Sequence, residues 1–165
     1  MTEEKTEFDI SRTFDAPREL VWKAWSEAER LAQWWGPKGF EIQVVALDFR
    51  PEGVFHYGMK SPDGGTMWGK FVYHEIAPPE RLVYVVSFAD EDASIVRAPF
   101  SSTFPLEVLN TLTLKESDGK TTLTLRGHPI NATPEEEAFY LGMHDSMQQG
   151  FGGALDNLAD YLAKA

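Results

Sequence analysis

Apolar positions along this chain follow two regimes. From Phe40 to His128 they recur at every second residue; from Thr133 onward they recur at three- and four-residue steps. A period of two predicts strands and a period near 3.6 predicts helix. Within the first regime, Ile42, Val44, Ala46 and Asp48 fall on one face of a strand, with Val45, Leu47 and Phe49 on the other. Phe55, Tyr57 and Met59 align on residues 54–60, and Leu82, Tyr84, Val86 and Phe88 on residues 81–88. Residues 66–76 read as the strand between them, and residues 106–115 and 120–128 as a last hairpin. Ser61-Pro62-Asp63-Gly64-Gly65, Ala77-Pro78-Pro79-Glu80 and Glu116-Ser117-Asp118-Gly119 supply the turns.

The second regime predicts one long amphipathic helix over residues 133–164. Thr133 and Glu136 form a capping box, Pro134 suits the first position, and Glu135, Glu136 and Glu137 place negative charge at the positive end of the dipole. Its stripe is Phe139, Met143, Met147, Phe151, Ala154, Leu158 and Leu162. Gly142, Gly150, Gly152 and Gly153 interrupt it, each costing about 1 kcal/mol relative to alanine. Such glycines are tolerated where backbones approach closely, where a helix bends, or where space is wanted beside it.

Before the meander, residues 7–14 alternate as a first strand. Pro17 opens a short helix carrying Leu20, Val21 and Trp25, and Ser26 is placed to cap a second that runs to Trp34. The expected fold is α+β: a curved antiparallel sheet of six to seven strands, two short helices after the first strand, and a long C-terminal helix packed over the sheet. Residues 1–6 are expected to be a disordered leader and residues 7–165 a single domain.

Residues 89–105 break the alternation. They hold Asp90, Glu91 and Asp92, then Phe100 and Phe104 between two prolines. A connection this long is either functional or mobile, and here it is expected to cover a cavity entrance.

Charge and composition narrow the function. The formal net charge is −11 and no Lys/Arg cluster occurs, which argues against nucleic acid and anionic membranes as partners. Cysteine is absent, so there is no disulfide, thiol nucleophile or thiolate metal site. No apolar run reaches membrane-spanning length, and a cytoplasmic location is expected. No metal and no cofactor is expected, because the four histidines, His56, His74, His128 and His144, stand in no ligand motif. His56 and His74 read as surface residues. His144 could reach a cavity rim, though a helix-surface role is favoured.

Strand alternation points Tyr57, Tyr84, Asn110 and Glu75 inward, unless a bulge intervenes. An inward Glu75 could act as an acid or base; an ion pair with Arg81 is the preferred reading. Trp22, Trp25, Trp34 and Trp35 are taken as core, with Trp34 the best placed for a cavity mouth.

Asp15-Ala16-Pro17, Val21-Trp22-Lys23-Ala24-Trp25 and Trp34-Trp35-Gly36-Pro37 together resemble the opening of the Hsp90-ATPase-activator-like family. Pro78-Pro79-Glu80-Arg81-Leu82, Gly119-Lys120-Thr121-Thr122-Leu123-Thr124-Leu125 and Gly150-Phe151 follow in that family's order. Residues 104–109 and 143–153 look like its bacterial stand-alone branch. The resemblance implies the helix-grip fold of the START/Bet v 1-like superfamily, whose members bind lipids, sterols, polyketides and plant metabolites.

The leading expectation is a binder of a small hydrophobic or aromatic molecule, without catalytic machinery, in a cavity between helix and sheet. Its expected lining is Trp34, Phe55, Tyr57, Met59 and Phe71, then Tyr84, Phe88 and Asn110, then Met143, Met147 and Phe151 from the helix. A chaperone co-factor role is the second reading. A polyketide cyclase or aromatase, using Tyr57, Tyr84, Glu75 and His144, is the third.

Overall fold

The structure, a computed structural model, describes residues 7–36, 39–98 and 101–164. The expected leader and Phe100 lie outside the described residues. Seven strands form one antiparallel sheet in the order β1-β7-β6-β5-β4-β3-β2. They are β1 (Phe8–Phe14), β2 (Glu41–Leu47), β3 (Val54–Lys60), β4 (Thr66–Ala77), β5 (Arg81–Ala89), β6 (Val108–Ser117) and β7 (Lys120–Pro129). Two short helices, α1 (Arg18–Ser26) and α2 (Ala28–Trp34), carry the chain from β1 at one edge to β2 at the other. The C-terminal segment packs over the concave face as α3 (Pro134–Gly142) and α4 (His144–Lys164).

One face of the sheet is apolar in rows, because pairing brings inward positions of successive strands side by side. Phe55, Phe71, Val86 and Val108 form one row, and Tyr73, Tyr84, Asn110 and Gly127 the next. Leu82, Leu112 and Leu125 form a third, fully or nearly fully buried. Each Leu or Phe so buried stabilises the fold by roughly 1.5–3 kcal/mol. Arg12, the polar member of inward β1, turns its guanidinium to Asp156 of α4 at 2.7 Å.

Four details depart from the sequence-based expectation. The C-terminal helix is divided: Met143 leaves helical register, and its N–H is shared between the carbonyls of Phe139 and Tyr140, each at 3.1 Å. Register also shifts between Val44 and Ala46, which turns Val45 and Ala46 outward and brings Leu47 and Phe49 onto the core side with Val44. A second shift, between Tyr73 and Glu75, takes Glu75 off the inner face. Finally, Ser26 is the last residue of α1, and Glu27 precedes α2 without a side-chain cap. The capping box of Thr133 and Glu136 is formed as expected, with Thr133 Oγ1 accepting from the Glu136 N–H at 3.1 Å.

Candidate functional site

α4 leans on β1 and the two short helices, so its glycine- and methionine-rich first turns stand away from β3, β4 and β5. Between them lies a cavity of about 280 Å³, at the lower edge of the range of roughly 300–1,000 Å³ usual for small-molecule sites. Its sheet side is Tyr57 and Met59 from β3, Gly69 and Phe71 from β4, Val86, Ser87 and Phe88 from β5, and Val108 and Asn110 from β6. Its helix side is Tyr140, Met143, Ser146, Met147, Gly150, Phe151 and Ala154. Trp35 and Gly36 close one end, and Phe104 of the strap between β5 and β6 closes another. Among the described residues no charged side chain lines it.

Two glycines make this shape possible. A Cβ on Gly69 would sit 2.6 Å from the Tyr57 hydroxyl and 2.7 Å from its ring carbon, so a bare backbone lets the Tyr57 ring lie across β4. Gly150 is the opposite case: a Cβ there would meet nothing within 4 Å. The same is true of Gly142 and Gly152. These helix glycines serve no close backbone approach. Gly150 leaves space beside the cavity, and Gly142 stands at the helix break.

Eight of the eleven residues anticipated around a cavity line this one: Tyr57, Met59, Phe71, Phe88, Asn110, Met143, Met147 and Phe151. Three do not. Trp34 is packed inside the tryptophan cluster, 4.9 Å ring to ring from Trp25, and its indole N–H donates to the Ala24 carbonyl at 2.9 Å. Its neighbour Trp35 takes the place expected for it, because the chain leaves helical geometry at Trp35. Phe55 and Tyr84 are fully buried behind Phe71, and Tyr84 stacks on that ring at 4.1 Å. Phe104, Tyr140 and Gly69 are among the lining residues that the sequence pattern does not point to. Phe104 lies in a stretch without periodicity, and Tyr140 lies one residue off the helical stripe.

The four groups proposed for acid–base chemistry are not brought together. Glu75 is an exposed partner of Arg81 at 3.2 Å. Tyr84 is sealed beneath Phe71, and His144 packs edge-on against Phe8 and Tyr140. Tyr57 alone reaches the cavity. Burial pushes the hydroxyls of Tyr57, Tyr84 and Tyr140 well above the ordinary tyrosine value of 10.0, so all three remain protonated donors. His56, expected at the surface, is buried: its ring lies 5.6 Å from that of Trp68, with Nε2 3.0 Å from the Asp90 carbonyl. Among the described residues no group of three or more His, Asp or Glu side chains is placed to hold a metal ion. No described helix is long and apolar enough to cross a membrane.

The family model described as Activator of Hsp90 ATPase homolog 1-like protein matches residues 15–163. The chain belongs to this family. As a member of the Activator of Hsp90 ATPase homolog 1-like family, it shares its fold with several solved bacterial proteins. A protein from Arthrobacter aurescens is 25% identical with a TM-score of 0.82, over 98% of this chain and 88% of that one. Protein Ms6760 from Mycobacterium smegmatis is 24% identical with a TM-score of 0.79, over 98% and 94%. The AHSA1 protein from Silicibacter pomeroyi is 19% identical with a TM-score of 0.72, over 95% and 97%. No curated protein matches the sequence.

Proposed function

We propose that this member of the family holds a small, mainly apolar molecule in the cavity between its C-terminal helices and its sheet, in the cytoplasm. The observation that carries the reading is the lining itself. Aromatic rings set the shape on the sheet side, and Met59, Met143 and Met147 surround the space with side chains that adapt to different guests. The few polar groups among them are the kind that orient a ligand. The volume of about 280 Å³ suits one or two rings better than a sterol or a long acyl chain.

Calorimetry with naphthalene-sized aromatic compounds tests the reading, using Gly150→Phe as the control that fills the space. Binding to the native chain and its loss in the variant are expected. No binding by any compound of this size would remove the proposal.

The family description favours a second reading, a contact with an Hsp90 chaperone. Adding the protein to the Hsp90 of the same cell and following ATP turnover tests it; an unchanged rate, with no complex formed, would count against it.

A further inference from the structure

The polar groups of the cavity are not scattered. Asn110 is only 5% exposed, stands on β6 and lines the cavity. Gly127 lies opposite it on β7. A Cβ on Gly127 would sit 2.2 Å from Asn110 Oδ1 and 3.0 Å from the Tyr140 hydroxyl, so both oxygens converge over that bare backbone. The Tyr84 hydroxyl lies within interaction range of the Asn110 side chain but out of hydrogen-bonding alignment with it. Neither the Tyr84 nor the Tyr140 hydroxyl has a hydrogen-bond partner among the described residues.

An asparagine amide offers two acceptor sites and two donors. The two tyrosines can occupy two of these at most, which leaves hydrogen-bonding capacity at the edge of an apolar space. At the opposite end, the Trp35 indole N–H also lacks a partner, but the Tyr57 hydroxyl stands beside it, so a donor and an acceptor already face each other. The Asn110 end is three strands away, about 14 Å at the usual strand spacing of roughly 4.8 Å. No charged side chain lines the Asn110 end among the described residues, and the charge that reaches Tyr140 there, that of Glu7, is negative, so an anion would sit buried and unpaired, which is strongly disfavoured.

We infer that the occupant is an uncharged ring compound bearing a hydroxyl or ketone, seated with that group on Asn110 beside Tyr140 and its apolar body along Phe71, Val86 and Met147. This rests on the cavity being a binding site, and the test separates the two claims. Three probes of one shape are titrated calorimetrically: naphthalene, 2-naphthol and 2-naphthoate. On the native chain 2-naphthol is expected to bind about tenfold more tightly than naphthalene, the usual value of one well-made hydrogen bond, and more tightly than 2-naphthoate. In Asn110→Leu the preference for 2-naphthol should vanish while naphthalene is still held. Tyr140→Phe loses only a hydroxyl without a partner, so it keeps the fold if the leucine variant does not, and it should narrow the preference.

Equal affinity for naphthalene and 2-naphthol would overturn the inference and leave the binding function standing. Tightest binding of 2-naphthoate would do the same. Failure of all three probes would remove both.

Discussion

Arg97, in the strap that joins β5 to β6, is ion-paired with Glu136, the residue that closes the capping box of α3. The same guanidinium donates to the Phe104 carbonyl at 3.2 Å. Phe104 packs against Phe88, Phe139 and Tyr140 at the cavity. One arginine thus joins the strap, its apolar plug and the start of the covering helices.

Removing that link should loosen the strap before it loosens the sheet. Arg97→Ala is expected to cost about 1 kcal/mol at most, as half-exposed pairs do. Amide exchange across the described residues of the strap should quicken while exchange in β6 and β7 stays slow. Equal acceleration in both would show that the strap has no separate anchor.

The pH dependence of the same link has a definite sign. Hydrogen bonding to the Thr133 backbone, then to Arg97, holds the Glu136 carboxyl below the ordinary glutamate value of 4.5. The unfolded chain therefore takes up this proton first as the pH falls. The contribution of Glu136 is complete above about 4.5 and fades below it. Glu136→Gln should flatten that part of a plot of stability against pH.

Gly150 separates helix stability from cavity volume. Gly150→Ala gains about 1 kcal/mol of helix propensity and meets no neighbour, so the midpoint of thermal unfolding should rise by roughly 2–4 °C. Gly150→Phe fills the space instead, and should abolish ligand binding without unfolding the protein.

Gly69→Ala should act in the other direction. Its Cβ would collide with the Tyr57 ring, which could make way only by turning into the cavity it lines and giving up its packing on Phe55 and Phe71. The expected loss is about 1–3 kcal/mol by urea denaturation, the usual range for overpacking. A neutral result would mean that Tyr57 swings freely into the cavity.

The buried tyrosines make a prediction at alkaline pH. Burial raises Tyr57, Tyr73, Tyr84 and Tyr140 above the ordinary value of 10.0. Their stabilising effect is whole below that value and is lost as the pH rises past it, because the unfolded chain ionises first. Tyrosinate absorbance from these four residues should appear together with the loss of secondary structure and not before it.

The sequence disclosed the large features because they rest on periodicity. Alternation on β3 and β5 placed Phe55, Tyr57, Leu82 and Tyr84 inward, and the spacing of Thr133 and Glu136 marked a helix start that forms. What stayed illegible depends on local departures from periodicity. An extra residue at Val45 reverses the faces of Leu47 and Phe49, and a register shift before Glu75 moves a carboxylate to the outside. No single residue type announces either. The cavity lining was readable where a side chain projects along a regular strand or helix. It was not readable at Trp35, Phe104 and Tyr140, which owe their positions to a helix end, an aperiodic strap and a broken helix.

The edge pairing of β1 with β7 has a kinetic consequence. Phe8 lies opposite Gly127, and Phe14 opposite Thr121. Contacts so remote in sequence must wait on the closure of a very long loop, and chains dominated by them fold slowly, in milliseconds to seconds. During synthesis the first strand therefore emerges long before its neighbour exists. Until the last third of the chain leaves the ribosome, the apolar side of Phe8 and Ile10 has no sheet to join.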